Sequence, residues 1–439
     1  MAVVTVKKRK SGSNGIDRGE SEKVISIVRQ MLDTIREGGE QAVRDYARDL
    51  DNWTGPIVMS PQEIAKIEHD LDDSLKEDIQ FAHQRVKQFA EQQLASLNEF
   101  EMELAPGLIA GQRLIPINTA GCYIPGGRYA HVASAVMSVT TAKVAGVKNV
   151  IACSPPKPGV GVNPAIAYTA SVCGADTILA VGGVQGIASL AFGIFTGHRA
   201  DILVGPGNRF VAEAKRMLFG EVGIDLFAGP TEILVIADDS ADPEIVASDL
   251  IGQAEHGPDS PAWLIAFSHE FASEVERLLP KYIERLPEPN RSSATGAWAD
   301  YGEISVVDTR EEAVALSDDY APEHLEVQAE DLPWWLANLS NYGSLFLGEE
   351  TTVAYGDKCS GTNHILPTSG AAKYTGGLSV GKFLKTVTYQ KMNRDANRSV
   401  GSVTARISRL EGMEAHALTG DDRLAKYFPD EVFRLNPDS

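Results

Sequence analysis

The sequence predicts an α/β protein with two doubly wound, incomplete Rossmann-like parallel-sheet domains and small helical segments near both termini. Three observations predict this fold class. Residues 21–100 have helical periodicity, the middle of the chain alternates short β-rich runs with Ala-rich helical stretches, and the β-rich runs end in Gly or Pro at two clusters of loops. Strands that alternate with helices are typical of a mostly parallel sheet.

The N-terminal region is expected to be a tail at residues 1–20 followed by helices. SEKVISIVRQMLDTIREGG keeps apolar residues three to four positions apart and stops at Gly38 and Gly39, and SLKEDIQFAHQRVKQFAEQQ repeats the pattern. The tail carries a short, isolated basic run at residues 7–10. We expect this run to be solvated.

From about residue 115 the chain is expected to alternate strands and helices. Eight β-rich runs are the expected strands: NVIACSPP, TILAVGG, DILVGPGN, EILVIADD, AWLIAFS, EISVVD, HLEVQ and GSLFLG. Ligands of open parallel sheets bind at the carboxyl ends of strands, where the Gly/Pro loops fall. Strand signals stop after about residue 370, and residues 400–426 are typical of a small helical domain.

These patterns predict four segments along the chain. A tail occupies residues 1–20, a first α/β domain combines residues 21–115 with 233–370, a second α/β domain spans 116–232, and a helical tail domain spans 371–439. The two separate clusters of loops are the reason for predicting two sheets instead of one.

Composition and charge argue against several classes of function. The 439 residues carry a formal net charge of −20, which argues against a nucleic-acid partner because phosphate binding requires a basic face. No stretch approaches the roughly 18 apolar residues of a membrane span, and the N-terminus lacks the apolar core of a signal peptide. The four cysteines are scattered without a CxxC pair, as expected of reduced thiols. We therefore expect a cytoplasmic protein without a membrane partner.

Three segments have the strand–glycine loop–helix form that presents backbone N–H groups to an anion. They are GCYIPGGRY at 121–129, GGVQGIASLAFG at 182–193 and VGPGNRFVAEAKR at 204–216. None contains the GxGxxG fingerprint of dinucleotide binding, so turn formation also explains the glycines. Asn208, which precedes a helical stretch, is equally well explained as a plain N-cap. These loops permit a bound nucleotide without demonstrating one.

Polar side chains that suit a metal ion are concentrated in the C-terminal half of the chain. They form four clusters: Gln253 with His256, Glu323 with His324, Asp357 with His364, and Glu411 with His416. Zn²⁺ binds imidazole nitrogen together with carboxylate or amide oxygen. The four-ligand shell that these residue types allow is Gln253, His256, Asp357 and His416. Each cluster taken alone is also explained by a structural role. The spacing of these residues therefore makes a metal site one hypothesis and leaves the structural interpretation open.

Gln253 and His256 end a helical stretch that begins at about Pro243. Residues three positions apart share a helix face, so the two side chains are expected to point the same way. The structural alternative is a polar helix end with a solvated histidine.

Glu323 and His324 lie where the chain enters the strand HLEVQ, which suits the rim of an active site. The pair offers two proton acceptors of different strength, as a reaction with two deprotonations requires. The alternative is a polar dipeptide at the start of a strand, which is common.

With these motifs, the chain resembles the histidinol dehydrogenase family over nearly its full length. The matching segments share their order with the family: YIPGG, GGVQGIASLAFG, GPGNRFVAEAKR, AGPTEILVIAD, SDLIGQAEHGPDS, YAPEHL, GDKCSGTNHILPT and EGMEAH. Several of these segments are long, which makes the resemblance more specific than any single motif.

The resemblance implies a role for each matching residue. The zinc ligands fall on Gln253, His256, Asp357 and His416, and the two proton acceptors on Glu323 and His324. The NAD contacts fall on Tyr123, Gln185 and Asn208, in the second α/β domain. The substrate-binding positions fall on Thr231, Gln253, His256, His324, Asp357, His364, Glu411 and His416.

The resemblance also implies an activity and an assembly. Members of the family oxidise a primary alcohol to a carboxylate with two NAD⁺, and zinc fixes the substrate. His324 would take the hydroxyl proton as the first hydride leaves, and Glu323 would activate water for the oxidation of the bound aldehyde. The members are homodimers whose tail domain reaches into the partner's site, so Glu411 and His416 are expected to act in trans.

The chain departs from the histidine-biosynthetic members at three places. The family's serine six residues after YIPGG is Ala133 here, with Ser134 next; the serine of AGPSE is Thr231; and GDYAS is replaced by GDKCS. The segment from GQRLIPINTAGCYIPGG to NVIACSPP is more similar to the sulfopropanediol dehydrogenase branch, which oxidises (R)-2,3-dihydroxypropane-1-sulfonate to sulfolactate. That diol is the favoured substrate.

A sulfonate requires N–H donors or cations. Arg128, His131 and Lys358 are the hypothetical sulfonate contacts, although Arg128 and Lys358 are equally explained as solvated or as contacts of the NAD phosphates. Glu411 counts mildly against a sulfonate pocket, and it suits the ammonium of the alternative substrate, L-histidinol. A zinc metallohydrolase is the alternative from another class, because zinc with a nearby glutamate also activates water.

Overall fold

The computed structural model describes residues 4–7, 18–126, 130–226 and 229–436. The chain divides into two compact units. The first combines Met1–Leu94 with Ile117–Phe383, and the second combines Ala95–Pro116 with Leu384–Ser439. Within the described residues, no helix has the length and apolar character needed to cross a membrane.

The described residues form fourteen strands and sixteen α-helices. The strands are β1 (Val4–Lys7), β2 (Phe100–Ala105), β3 (Leu108–Pro116), β4 (Thr119–Tyr123), β5 (Asn149–Ser154), β6 (Thr177–Ala180), β7 (Ile202–Val204), β8 (Gly223–Ile224), β9 (Ile233–Ala237), β10 (Ala262–Ala266), β11 (Glu303–Val306), β12 (His324–Gln328), β13 (Ser344–Leu347) and β14 (Leu384–Met392). The helices are α1 (Arg18–Asp51), α2 (Pro61–Asp70), α3 (Asp73–Ala95), α4 (Val132–Ala135), α5 (Thr141–Val144), α6 (Pro164–Val172), α7 (Gly183–Phe192), α8 (Arg209–Leu218), α9 (Pro243–Ala254), α10 (His269–Glu284), α11 (Asn290–Tyr301), α12 (Arg310–Tyr320), α13 (Leu332–Asn338), α14 (Val353–Lys358), α15 (Arg394–Leu410) and α16 (Glu414–Tyr427).

The first unit contains a six-stranded sheet in the order β1-β11-β10-β9-β12-β13, parallel except at β1. Strands β9, β10 and β12 are buried along their whole length. Helices cover both faces of such a sheet, and for this reason β9 and β10 are continuous apolar runs, whereas the equally buried β12 alternates polar and apolar residues. All five of the runs predicted for this part of the chain are strands, which confirms the α/β fold class.

The prediction of a solvated N-terminal tail is wrong at β1. This strand pairs antiparallel with β11, and Lys7 Nζ donates to the carbonyls of Trp298 at 2.8 Å and Gly302 at 2.7 Å. The short strand had no signal in the sequence because an edge strand with one lysine lacks a continuous apolar run.

The first unit also contains a parallel five-stranded sheet in the order β6-β5-β4-β7-β8. Its core includes Val28 and Ile35 of α1, together with Ile187 of α7 and Leu203 of β7. The sequence prediction grouped the N-terminal helices with residues 233–370, whereas in the structure α1 shares its core with this five-stranded sheet.

The predicted end of the first helix at Gly38 and Gly39 corresponds to a kink. Gly39 has φ +57 and ψ −138, and the helix resumes after it and continues to Asp51. Glycine adopts this left-handed backbone conformation at little cost, so the chain changes direction there without a loop.

The second unit contains an antiparallel sheet in the order β14-β3-β2 and the packed pair α15 and α16. The two helices confirm the predicted C-terminal helical segment. The expectation that strands stop after about residue 370 is wrong, because β14 spans nine residues. Eight of these nine residues are exposed, so the strand carries no buried apolar run that a sequence pattern would reveal.

Candidate active site

The centre of the candidate site is the junction between the amino ends of β9 and β12, which are adjacent parallel strands. Glu232 precedes β9, and Glu323 precedes β12. The backbone N–H of Glu232 donates to Glu323 Oε2 at 3.0 Å, and the N–H of Glu323 donates to Glu232 Oε1 at 3.3 Å. Both residues are buried. Each glutamate therefore fixes the position of the other.

The pair of Glu323 and His324 lies where the chain enters β12, as the sequence indicated, and this amino end is not where ligands of open parallel sheets usually bind. The three glycine loops do follow β4, β6 and β7, whereas the acid–base pair lies at the opposite end of its own sheet. Helix α9 follows β9 and packs against it, so the end of α9 returns to the amino end of the strand. Gln253 near the end of α9 is thereby brought to Thr231.

Thr231 joins Gln253 to Glu323. The Thr231 hydroxyl donates to Glu323 Oε2 at 2.5 Å and accepts a hydrogen bond from Gln253 Nε2. Because the nitrogen of the Gln253 amide is used in this way, its oxygen is the atom left for a metal ion. The chain of contacts links a candidate metal ligand to a candidate base.

The backbone fixes the tautomer of His324. Its Nδ1 lies 3.0 Å from the carbonyl oxygen of Glu232, which can only accept, so Nδ1 carries a proton. Nε2 is buried without a hydrogen-bond partner and lies 3.5 Å from Asp357 Oδ1. An unpartnered buried nitrogen of this kind is the atom expected to receive a ligand or a proton.

Burial and neighbouring charges shift the pKa values of these groups in different directions. Burial raises the pKa of Glu323, and burial together with the Glu323 charge raises the pKa of Glu232 to about 8. Burial lowers the pKa of His324, but the carboxylates of Glu323 and Asp357 outweigh it and raise that pKa to about 9. Buried groups with perturbed pKa values are typical of sites of proton transfer.

Asp357 stays ionised despite its burial. Burial raises the pKa of Asp357, but the adjacent His324 imidazole lowers it more strongly, and the net pKa lies well below the ordinary aspartate value. The carboxylate is at the end of α14, and its neighbour Lys358 lies 3.7 Å away with most of its side chain exposed. Asp357 is thus an anion at neutral pH, as a metal ligand would have to be.

His364 lies against Asp357 and Ser134. Its Nδ1 donates to the Asp357 carbonyl oxygen at 2.8 Å, and Nε2 lies 3.1 Å from the Ser134 hydroxyl. Ser134, and not Ala133, therefore contacts the predicted substrate-binding histidine. Burial lowers the pKa of His364, which keeps the imidazole neutral.

His256 lies beyond the helix on which it was predicted. Helix α9 ends at Ala254, and the His256 N–H donates to the Gln253 carbonyl oxygen at 3.2 Å in the following turn. Gln253 is buried, while His256 is exposed. The helix breaks here because Gly257 and Pro258 follow directly.

The donor set of the first unit suits zinc in its chemistry. Gln253, His256 and Asp357 supply an amide oxygen, an imidazole and a carboxylate. Burial lowers the pKa of His256, and the Asp357 charge opposes that effect. His416, the fourth predicted ligand, is exposed in the first turn of α16 of the second unit. Across the residues that are described, no group of three or more His, Cys, Asp or Glu is close enough to hold a metal ion.

The three predicted NAD contacts lie on the glycine loops of the five-stranded sheet. The hydroxyl of Tyr123 accepts from the Gly183 N–H at 3.2 Å. The amide nitrogen of Gln185 donates to Asp51 Oδ2 at 2.9 Å, while its oxygen is buried without a hydrogen-bond partner.

Asn208 is exposed and caps α8, because its Oδ1 accepts from the backbone N–H groups of Phe210 at 3.0 Å and Val211 at 3.2 Å. The N-cap interpretation is therefore confirmed. The cap uses only the side-chain oxygen of Asn208, so its side-chain nitrogen and the exposed N-terminus of α8 could still contact a nucleotide.

Comparison with known proteins identifies the family. The model of the histidinol dehydrogenase family matches residues 16–424. The chain belongs to this family. Family members are NAD-dependent alcohol dehydrogenases that generally use zinc, and the protein is accordingly an oxidoreductase that acts on a small-molecule alcohol. Family membership decides against the metallohydrolase alternative.

Individual relatives agree with this assignment. The sulfopropanediol 3-dehydrogenase of Ruegeria pomeroyi is 59% identical over 418 residues, which cover 95% of this chain and 96% of the relative. The histidinol dehydrogenase of Thermus thermophilus is 39% identical over 401 residues, which cover 91% of this chain and 94% of the relative. The crystal structure of the histidinol dehydrogenase from Elizabethkingia anophelis matches with a TM-score of 0.86 and 33% identity, over 94% of this chain and 97% of that one.

The structure describes two of the three hypothetical sulfonate contacts in this member of the histidinol dehydrogenase family. Arg128 lies outside the described residues. Lys358 is mostly exposed beside Asp357. Burial, together with the positive charges of neighbouring groups, lowers the pKa of His131 to about 4, so this imidazole is neutral at physiological pH and offers an N–H rather than a cation.

Sequence reasoning missed Glu232 as part of the site. It directly follows Thr231 in AGPTE, and a glutamate immediately before the buried run ILVIA was the available signal. Its contacts are with residues more than 90 positions away, so spacing did not reveal them. Glu411, the remaining predicted substrate contact, is exposed at the C-terminal end of α15.

Thr231→Val is expected to lower kcat/KM by roughly 10- to 100-fold, because it removes the hydroxyl that donates to Glu323 and accepts from Gln253 in a buried site, although the Glu232 N–H still donates to Glu323. Thr231→Ser keeps the hydroxyl and is the matched control, expected to remain within a few-fold of the parent. Steady-state kinetics and thermal melting of both variants check the prediction, and equal activity of the two variants would contradict it.

Proposed function

We propose that the protein oxidises (R)-2,3-dihydroxypropane-1-sulfonate to sulfolactate with two NAD⁺, through an aldehyde that stays bound. The observation that carries the proposal is the buried pair Glu323 and His324, two adjacent proton acceptors whose side chains have different partners. A four-electron oxidation of this kind releases a hydroxyl proton and later a proton from water, so it requires two acceptors.

His324 serves the first oxidation in this proposal. The carbonyl of Glu232 holds the proton on Nδ1, so Nε2 is the atom that accepts the proton of the substrate hydroxyl as hydride leaves the carbon. The neutral imidazole is the active form. A cation bound by Asp357 would reduce the negative charge that now raises the pKa of His324, and would thereby favour that form.

Glu323 serves the second oxidation. Burial raises its pKa, which makes the carboxylate a stronger base than one in water. Thr231 and the Glu232 N–H both bind Oε2, so the other carboxylate oxygen is left to take a proton from water as it adds to the aldehyde. Loss of the second hydride from the hydrated aldehyde then gives the carboxylate.

Zinc and NAD are both part of the proposal. Gln253, His256 and Asp357, with His416 from a partner subunit of a homodimer, would hold zinc, which supplies Lewis acidity and fixes the substrate hydroxyl. Tyr123, Gln185 and Asn208 would bind NAD⁺, which accepts the hydrides. Glu411 would reach the same site from the partner subunit. Exposure of Glu411 and His416 supports their availability to a second chain.

The sulfonate substrate is supported by two observations. The first is the 59% identity to a sulfopropanediol 3-dehydrogenase over 95% of the chain. The second is the set of N–H donors near the Asp357 loop, where Lys358 lowers the pKa of Asp357 and the charges of Lys358 and Asp357 both act on His131. L-Histidinol remains the second candidate, because the Glu411 carboxylate suits an ammonium group better than a sulfonate.

The first experiment measures NADH formation by the purified protein with limiting (R)-2,3-dihydroxypropane-1-sulfonate or limiting L-histidinol, with and without a chelator. Two NADH per sulfonate, lost on chelation and restored by Zn²⁺, is the expected result. Turnover of histidinol alone would reject the sulfonate substrate. One NADH per substrate would reject the four-electron reaction.

Lys358→Gln tests the sulfonate contact separately. Removal of this exposed cation is expected to raise KM for the sulfonate roughly three- to tenfold, with kcat little changed, since exposed charges contribute modestly. KM for NAD⁺ in the same assay is the internal control, because a Lys358 that contacts the NAD phosphates would change that constant instead.

A further inference from the structure

A buried ion pair lies beneath the third glycine loop of the first unit. Lys215 of α8 and Asp225, which follows β8, approach to 2.5 Å between Nζ and Oδ1, with side-chain exposures of 4% and 0%. Transfer of two charges from water to a protein interior costs a large desolvation free energy, which further hydrogen bonds to the pair help to offset. The position of those further hydrogen bonds therefore indicates what the pair is for.

The further hydrogen bonds converge on Gly205. Lys215 Nζ donates to the Gly205 carbonyl oxygen at 2.9 Å, and Asp225 Oδ2 accepts from the Gly205 N–H at 2.7 Å. Both polar groups of one residue are thus held by the two ends of one ion pair. Asp225 Oδ1 also accepts from the Leu226 N–H at 2.7 Å.

Gly205 has a backbone conformation that needs such support. Its φ is +114, a value that side-chain-bearing residues rarely adopt, and a Cβ at this position would lie 2.0 Å from the Tyr123 carbonyl oxygen. The loop after β7 therefore passes directly against the backbone of Tyr123. Three residues later, Asn208 begins α8.

We propose that Lys215 and Asp225 are positioning residues for the nucleotide: they hold Gly205 so that Asn208 and Tyr123 form one binding surface for NAD. The inference rests on the proposed NAD contacts of Tyr123 and Asn208, and it goes beyond them because neither charged side chain lies on that surface. An apolar pair of similar volume would fill the same space, but it would leave the N–H and the carbonyl of Gly205 unbound.

The test compares NAD⁺ binding by the parent enzyme and by the double variant Lys215→Met with Asp225→Asn. This variant carries no unpaired buried charge, and the amide oxygen introduced by Asp225→Asn still accepts from the Gly205 N–H. The amide has one oxygen where the carboxylate has two, so the Leu226 N–H loses its acceptor. Since no buried charge is left unpaired, we expect the fold to be retained while the carbonyl of Gly205 loses its donor. Lys143→Met is the matched control, because the Lys143 ion pair with Asp176 in the same unit is partly exposed and remote from Gly205.

The double variant is expected to raise both Kd and KM for NAD⁺ by about tenfold or more, as loss of a hydrogen bond to a charged donor implies. Its kcat at saturating NAD⁺ and its KM for the alcohol should stay within about twofold of the parent. A purely structural pair would lower the melting temperature without this separation of KM from kcat. Lys215→Gln with Asp225→Asn is the second variant if the first double variant does not fold, because it keeps polar amides at both positions without a buried charge, and a smaller increase is expected.

Three outcomes would be decisive against the inference. A folded variant that binds NAD⁺ as tightly as the parent would reject it, and so would a loss of kcat at unchanged Kd for NAD⁺. If the parent enzyme itself fails to bind NAD⁺, the proposed NAD site fails first and the inference with it. Binding by the parent enzyme therefore distinguishes failure of the proposed function from failure of the positioning role.

Discussion

Glu323→Gln is expected to stop the reaction after the first hydride transfer. The amide keeps the shape of the side chain and can still accept from Thr231, but it cannot take a proton from water. The second oxidation should fall by roughly 10²- to 10⁴-fold, which is the usual contribution of a general base, while the first should remain within about tenfold of the parent. The bound aldehyde should accumulate.

Single-turnover measurements of NADH with limiting alcohol, combined with chemical trapping of the aldehyde, separate the two steps. Glu326→Gln is the matched control. Glu326 is also buried on β12, and burial together with the Asp249 charge raises its pKa to about 8, so a neutral amide resembles its protonated form. Equal loss of both oxidations in Glu323→Gln would overturn the assignment of Glu323 to the second step.

Asp357→Asn is expected to abolish metal-dependent turnover while NAD⁺ binding is retained. Replacement of residues that merely support a metal ligand typically costs 10- to 100-fold in metal affinity or activity. Loss of the anionic ligand itself should therefore cost more than about 100-fold. Asp357 is separated along the chain from the glycine loops that carry the proposed NAD contacts, so the dissociation constant of NAD⁺ should change little.

Metal content by elemental analysis, turnover with added Zn²⁺, and NAD⁺ titration test this prediction. Tyr355→Phe is the matched control, because Tyr355 is exposed on the same helix α14 and takes no part in the site. Full metal content and normal turnover in Asp357→Asn would remove Asp357 from the metal shell. Loss of NAD⁺ binding together with metal would indicate that the metal and nucleotide sites are not independent.

Asp357→Asn also has a consequence for His324. Burial lowers the pKa of His324, and the charges of Glu323 and Asp357 raise it, so removal of one charge should lower the pKa of the imidazole. In metal-free protein, NMR titration of His324 should show this decrease relative to the parent.

Much of the fold was predictable because buried strands appear in the sequence as short runs of mostly apolar residues. All eight predicted β-rich runs are strands, from β5 to β13 with only the two-residue β8 unpredicted in that range. Strands covered on both faces are commonly apolar throughout, and the run ILVIA shows this directly, although the equally buried β12 carries polar residues at alternate positions. The exposed strand β14 and the edge strand β1 have no such run, and both were missed.

The candidate site was likewise predictable in part. Residue types and motif order indicated Gln253, His256, Asp357 and the Glu323–His324 pair, because metal binding and proton transfer require those side chains. The sequence placed the acid–base pair where the chain enters β12, although the rule for open parallel sheets places ligands at the carboxyl ends. The strand end that lies beside the pair was not predictable. The pairing of β9 with β12 decides it by bringing two amino ends together.

By itself, then, the sequence determined most of the buried strands, the glycine loops and most of the reactive side chains, since each of these depends on local composition. The tertiary structure alone decided which partners they have. Glu232 meets Glu323 across 91 positions, and Lys215 and Asp225 meet at Gly205 only because β7, β8 and α8 pack side by side. Hydrogen bonds between distant segments depend on strand order and helix packing, and neither is encoded in the spacing of residues along the chain.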